Sequence, residues 1–234
     1  MPVVLITGVH TGIGLALAES FLESGWQVHG VSRREPASIA GRDGFSFKTL
    51  DFSEFSTIAP ALAGIGNLDL VVLNAGVLGS IADWSDQEMT DIRRVMDINV
   101  WANKVLLDAL LGGMRTVKQV VGISSGAAAN CSGGWGPYSV SKVALNALLK
   151  VYAEEKLETH FSALAPGVVR TTMVEGILEL ESDPKHSATG RVQSLDGTEN
   201  LQTLEIATER LCRAFPLLLK EPSGSFLDIR SMSL

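Results

Sequence analysis

Val3-Val4-Leu5-Ile6-Thr7-Gly8-Val9-His10-Thr11-Gly12-Ile13-Gly14 is the stretch that decides the fold. Its first four residues form a short, wholly apolar run, the pattern of a strand buried on both faces. A glycine-rich turn follows at once. From there the apolar positions Ile13, Leu17, Phe21 and Leu22 recur at helical spacing, and Gly25 stands where a helix end favours a left-handed residue. Strand, glycine turn and helix in that order make the first βα unit of an open α/β sheet, where helix N-terminal amides face a pyrophosphate. Glycine suits this turn because a Cβ would block close backbone approach. The spacing departs from G-x-G-x-x-G, and a purely structural turn uses the same residues; its place directly after a buried strand favours a phosphate loop. His10 reads as a loop filler.

Outward from this unit, apolar runs over residues 27–31, 45–50, 68–73, 119–123, 160–165 and 225–228 read as further strands. Helical patterns over about 54–64, 86–111, 137–157 and 203–219 separate most of them. Buried strands alternating with helices imply βαβ units, and right-handed crossovers place helices on both faces. The expected fold is therefore α/β: a Rossmann-type, doubly wound, mainly parallel seven-stranded sheet, with residues 1–234 as one domain. Residues 173–200 are polar and carry Glu175, Glu179, Glu181 and Ser182-Asp183-Pro184. They read as a long mobile loop, either a substrate lid or a surface insertion.

Bulk properties exclude several classes. The net charge is −7, and no basic run exceeds a pair such as Arg33-Arg34, which argues against a phosphate-tracking nucleic-acid surface. No stretch approaches the run of roughly 20 apolar residues that crosses a bilayer. The N-terminus lacks a basic signal-peptide flank. Cys131 and Cys212 lie far apart without C-x-x-C spacing, so neither a disulfide framework nor a metal site is expected, and a reducing cytoplasm is the default compartment.

Tyr138 and Lys142 stand four residues apart on a helical pattern, hence on one face, about one turn from each other. A free phenol titrates near ~10, and a neighbouring ammonium is expected to lower that value toward the range useful for acid–base work. Alone, the pair fits a solvated helix start better than a catalytic one. Together with other segments it resembles a known pattern. Thr7-Gly8-x-x-x-Gly12-Ile13-Gly14 is similar to the TGxxxGIG loop of the short-chain dehydrogenase/reductase family. Leu73-Asn74-Ala75-Gly76 resembles its NNAG, with Leu73 in place of the first Asn. Asn99 stands in the long helix, Ser124-Ser125 end the fifth strand, Tyr138 to Lys142 matches YxxxK, and Pro166-Gly167-Val168-Val169-Arg170-Thr171 matches PGxVxT. The motifs occur in the family's order along essentially the whole chain.

The resemblance implies hydride transfer between a nicotinamide cofactor and a carbonyl/alcohol pair. Tyr138 is then the proton donor, Ser125 orients the carbonyl oxygen, Lys142 holds the nicotinamide ribose, and Asn99 holds a water of the proton relay. Gly8, Thr11, Gly12, Ile13, Gly14, Asn74, Ala75, Gly76, Pro166, Gly167 and Val169 join Tyr138 and Lys142 in binding cofactor, with Asp51-Phe52 on the adenine and Thr171 on the carboxamide. After the second strand, Ser32-Arg33-Arg34 replaces an acid, and guanidinium suits a 2′-phosphate. NADP(H) is thus expected ahead of NAD(H), with an NAD-linked alcohol dehydrogenase and a non-catalytic cofactor sensor as alternatives. Among the carbonyl reductases, the Ser-Arg-Arg turn resembles the sepiapterin- and benzil-reductase-like members. Substrate walls are expected from Val77, Leu78, Trp135, Val168 and Met173 onward; Trp84 and Trp101 read as core or interface residues. Small and apolar Val143, Ala144 and Ala147 suit a helix contact in a homodimer or homotetramer.

Overall fold

The computed structural model describes residues 1–181 and 185–234. Seven strands form one sheet: β1 (Val3–Thr7), β2 (Gln27–Ser32), β3 (Phe45–Thr49), β4 (Leu68–Leu73), β5 (Val117–Ile123), β6 (His160–Ala165) and an outer strand at Ser225–Asp228. Numbering the short strands Val168–Val169 and Leu201–Gln202 as β7 and β8 makes that outer strand β9. The spatial order is β3-β2-β1-β4-β5-β6-β9, and every neighbouring pair is parallel. The order therefore reverses between β1 and β4, which opens a crevice at their carboxyl ends. Pairing of Val4 with both Val28 and Leu70 sets the central register.

Alternation along β1 feeds two cores. Val4 and Ile6 pack with Leu17 and Phe21 of α1 (Gly12–Glu23), and with residues near the chain's end such as Leu211 and Phe215. Leu5 points the other way, toward Leu106, Leu107, Leu145, Leu149 and Phe161. Full burial of each such side chain stabilises by roughly 1.5–3 kcal/mol. The remaining helices are α2 (Phe55–Ala61), α3 (Met89–Met96), α4 (Ala102–Leu111), α5 (Ala127–Asn130), α6 (Gly136–Glu155), α7 (Thr172–Leu178), α8 (Ser187–Gln193) and α9 (Leu204–Leu218). Gly122 brings α6 close to the sheet, because a Cβ there would lie 2.6 Å from the Leu149 side chain.

Three local differences from the sequence expectation have physical reasons. The helix expected over 86–111 starts at Met89 and is interrupted by a π turn at Asp97–Trp101, the kind of insertion that periodicity blurs. Residues 173–200 are not one long loop: Thr171 caps α7 by accepting from the Val174 amide, and α8 follows. Ile177, Ala188 and Val192 anchor these short helices against Trp135, apolar contacts that the polar composition hides. Residues 182–184 of that segment lie outside the described residues. Finally, Trp84 is 54% exposed and Trp101 46%, so neither is a core residue.

Candidate active site

The crevice at the β1/β4 reversal is floored by Thr7. Its fully buried hydroxyl oxygen accepts from the Asn74 amide at 2.8 Å and the Ala75 amide at 2.9 Å, stitching the end of β1 to the residues after β4. The Asn74 side chain returns the link by donating to the Thr7 carbonyl at 2.9 Å. Gly8 and Gly12 turn the chain with φ of 74° and 63°, values that favour glycine. Gly14 has a different task. A Cβ on it would lie 2.4 Å from both the Gly8 carbonyl and the Asn74 side chain, so its small size lets α1 seat on the loop.

A cleft of about 530 Å³ runs along this rim. Its walls include Gly8, Thr11, Gly12, Ile13, Ser32, Arg33, Arg34, Asp51, Phe52, Asn74, Ala75, Gly76, Ser125, Tyr138, Lys142, Pro166, Gly167, Val169 and Thr171. The sequence points to all of these. It points to Gly14 and Asn99 as well, and these do not line the cleft. Asn99 is fully buried in the π turn: its Oδ1 accepts from the Val77 amide at 2.8 Å, and its Nδ2 donates to the Val77 carbonyl and to the Ser141 hydroxyl, each at 2.9 Å. The side chain therefore fixes the loop after Gly76. Conversely, His10, Ser53 and Arg94 line the cleft without having been singled out as ligands. His10 Nδ1 is buried and unpaired.

The outer end is exposed and basic. Arg33 and Arg34 project to solvent, while the Ser32 hydroxyl donates to the Arg34 carbonyl at 2.7 Å and shapes the turn. Asp51 is held below the usual carboxylate range by the Ser53 amide and hydroxyl, helped by the charge of Arg33. The inner end is buried. Ser125 leaves β5, and Tyr138 and Lys142 lie one turn apart on α6, whose first turn carries Pro137, a residue tolerated where an amide has no helical partner. Tyr138 hydrogen-bonds the Ser125 hydroxyl. The Lys142 ammonium donates to the Ile123 carbonyl at 2.8 Å and sits 5.6 Å from the Tyr138 ring centre.

Burial dominates both titrations. It pushes the Tyr138 phenol up, with the Ser125 bond pulling the other way, and lowers the Lys142 ammonium to about 8. The expected lowering of the phenol by the ammonium does not prevail, because desolvation penalises the phenolate more than this separation rewards it. At neutral pH the arrangement is a neutral phenol beside an ammonium, a proton donor next to a fixed positive charge. Beyond it the wall is apolar: Val77, Leu78, Trp135, Val168 and Met173 all face the cleft as expected, joined by Ile177 and Val192. Trp135 meets Tyr138 edge-on, ring centres 6.2 Å apart.

A doubly wound parallel sheet with a glycine loop at its reversal point and a buried phenol–ammonium–hydroxyl cluster defines a dinucleotide-binding oxidoreductase class. The chain belongs to the short chain dehydrogenase family, whose sequence model matches residues 2–181. It is 36% identical over 179 residues to an uncharacterized oxidoreductase of Schizosaccharomyces pombe, covering 73% of this chain and 72% of that one. A benzil reductase of Saccharomyces cerevisiae, described as forming (S)-benzoin, is 32% identical over 197 residues, covering 76% and 75%. The crystal structure of the short-chain dehydrogenase/reductase YIR035C from the same yeast superposes with a TM-score of 0.86 at 25% identity, covering 99% and 97%. The chain is thus an oxidoreductase of this family. No helix among the described residues is long and apolar enough to cross a membrane.

Proposed function

We propose that this protein reduces small, apolar carbonyl compounds with NADPH. The observation that carries the proposal is the convergence of Ser125, Tyr138 and Lys142 at the inner end of a cleft whose outer end presents a glycine loop and Arg33. The lining suits a nicotinamide dinucleotide: Gly12 turns the loop with φ of 63°, and at Gly76 a Cβ would lie 3.2 Å from Asn99 Oδ1, so the backbone on both sides of the crevice is bare of side chains. Bound there, the cofactor supplies the hydride.

The chain's own residues supply position and protons. Gly8 to Ile13 receive the pyrophosphate on backbone amides, and Arg33 with Ser32 and Arg34 receives the 2′-phosphate. Asp51 and Phe52 hold the adenine, Asn74 to Gly76 the ribose side, and Pro166 to Thr171 the carboxamide end. Ser125 donates to the substrate carbonyl oxygen and fixes it near the phenol. Tyr138, kept neutral by burial, gives its proton to that oxygen as charge develops. Lys142 stabilises the resulting phenolate and binds the nicotinamide ribose. Asn99 acts behind them by fixing the Val77 loop. The apolar wall from Leu78 to Val192 excludes water and favours ketones without charge, and aromatic diketones such as benzil are the first to test. Residues 1–234 act as one catalytic unit, with α7 and α8 covering the substrate end. The free thiols of Cys131 and Cys212 accord with a reducing cytoplasm, and exposed Val140, Val143 and Val151 on α6 accord with a homodimer or homotetramer.

The test is ketone-dependent loss of NADPH absorbance by the purified chain, over ketones, diketones, quinones and pterins. NADPH binding without turnover on the whole panel would leave the cofactor-sensing alternative standing.

A further inference from the structure

One buried residue touches both ends of the loop that follows β6, by its side chain and by its main chain. Gln202 is 6% exposed and belongs to β8, which pairs in parallel with β7. Its main-chain carbonyl accepts from the Arg170 amide at 2.9 Å. Its side-chain Nε2 donates to the Pro166 carbonyl at 3.2 Å, and its Oε1 accepts from the Arg210 guanidinium at 2.9 Å. Arg210, on α9, donates its other terminal nitrogen to the Ile229 carbonyl at 3.2 Å. A continuous line of hydrogen bonds thus runs from the last turn of the chain to the cofactor-facing loop.

The orientation of the amide is dictated by its partners. Arg210 can only donate, so the oxygen of Gln202 must face it and the nitrogen must face the carbonyl of Pro166. Gly167, with φ of 79°, leaves room for this contact: a Cβ there would lie 2.6 Å from Gln202 Nε2. β7 spans only Val168–Val169, too short to hold its own register firmly. The family match ends at residue 181, so none of its motifs covers Gln202.

We propose that Gln202, oriented by Arg210, is a positioning residue that sets the 166–171 loop against the nicotinamide carboxamide. The inference rests on the reading of that loop as the carboxamide site. It predicts that Gln202 governs recognition of the nicotinamide end and leaves the adenosine end untouched.

Gln202→Glu separates positioning from folding. The carboxylate keeps Arg210 as a partner and preserves that side of the network, but turns an acceptor toward the Pro166 carbonyl. Calorimetric titration of the full chain with NADP⁺, its 3-acetylpyridine analogue and 2′,5′-ADP reads the two ends separately, with thermal melting alongside. Expected is a 2′,5′-ADP affinity equal to that of the unaltered chain and a melting point lower by only a few degrees, the cost of the unmet Pro166 carbonyl. Preference for NADP⁺ over the acetylpyridine analogue should shrink about tenfold, the scale of one lost hydrogen bond. An unchanged preference overturns the inference. So does a parallel loss of 2′,5′-ADP binding or a collapse in melting point, which would mark a merely structural role. An unaltered chain that binds none of the three ligands overturns the cofactor reading itself, and the inference with it.

Discussion

The two ends of the cleft solve opposite electrostatic problems on the same sheet rim. The outer end, proposed for adenosine and built from the β1–α1 turn and the residues after β2 and β3, keeps its arginines in water and offers backbone amides. The inner end, proposed for the reaction and built from residues after β5 and β6 and from α6, buries an ammonium and a phenol together. Charge in water adds affinity at little folding cost and is screened by salt. Charge removed from water costs stability and gains chemical leverage. The comparison teaches that affinity and chemistry should fail separately under mutation.

The largest effect should come from the buried end. Tyr138→Phe keeps the ring and its edge contact with Trp135 but removes the proton. Turnover should fall by about 10²- to 10⁴-fold, while NADPH titration shows a far smaller change in affinity. Retained turnover would remove Tyr138 from the chemistry and collapse the contrast between the two ends.

Lys142→Met comes next, because it removes the buried charge itself. Turnover should be lost while the fold gains stability near neutral pH. The sign follows from linkage. The folded-state value of about 8 lies below the ordinary 10.5, so between those pH values the unfolded chain carries more protons and the native protein becomes more stable as pH rises. The variant's advantage should therefore reach at most roughly 3 kcal/mol at pH 7, less the lost bond to Ile123, and fade across that window. Urea unfolding at pH 7 and pH 10 measures it. A stability difference that does not change with pH would mean that the ammonium is not displaced from its ordinary value.

At the exposed end, Arg33→Ala should weaken NADPH binding by about 10- to 100-fold, the worth of a charge-assisted hydrogen bond, with NADH little affected. The loss should diminish at high salt. Equal losses for both cofactors would show that Arg33 does not read the 2′-phosphate.

This division also explains what the sequence revealed. The proposed adenosine end is written in contiguous segments: Gly8 to Gly14 and Ser32 to Arg34 each lie within one turn directly after a strand, and that placement exposes them. The proposed reaction residues Ser125, Tyr138 and Lys142 are legible through the family resemblance, which their places at a strand end and on one helical face support. What stayed hidden depends on tertiary partners. Asn99 looks like a helical polar residue until the π turn aims its amide at Val77, and the protonation of Tyr138 follows from burial that periodicity does not measure. The helices at Thr172–Leu178 and Ser187–Gln193 depend on three apolar anchors within a polar stretch. Gln202 carries no motif at all; only its contacts with Pro166 and Arg210 distinguish it.

The smallest functional effect is expected at the junction of the two ends. Thr7→Val is nearly isosteric but removes the oxygen that accepts from the amides of Asn74 and Ala75. Those two donors then lack a partner on the crevice floor, at a cost of about 1–3 kcal/mol in stability. The pairing of Val4, Leu5 and Ile6 with β4 keeps the strands in place, so both ends of the cleft should shift together and only slightly. A lower urea midpoint with an unchanged slope, and NADPH affinity and turnover close to those of the unaltered chain, is the expected result. Thr7→Ser, which restores the acceptor, should recover most of the loss. If valine unfolds no more easily than threonine, the two amides find other partners and the crevice is held by the sheet alone. If valine instead weakens the adenosine end far more than the reaction end, the two ends do not share a common floor.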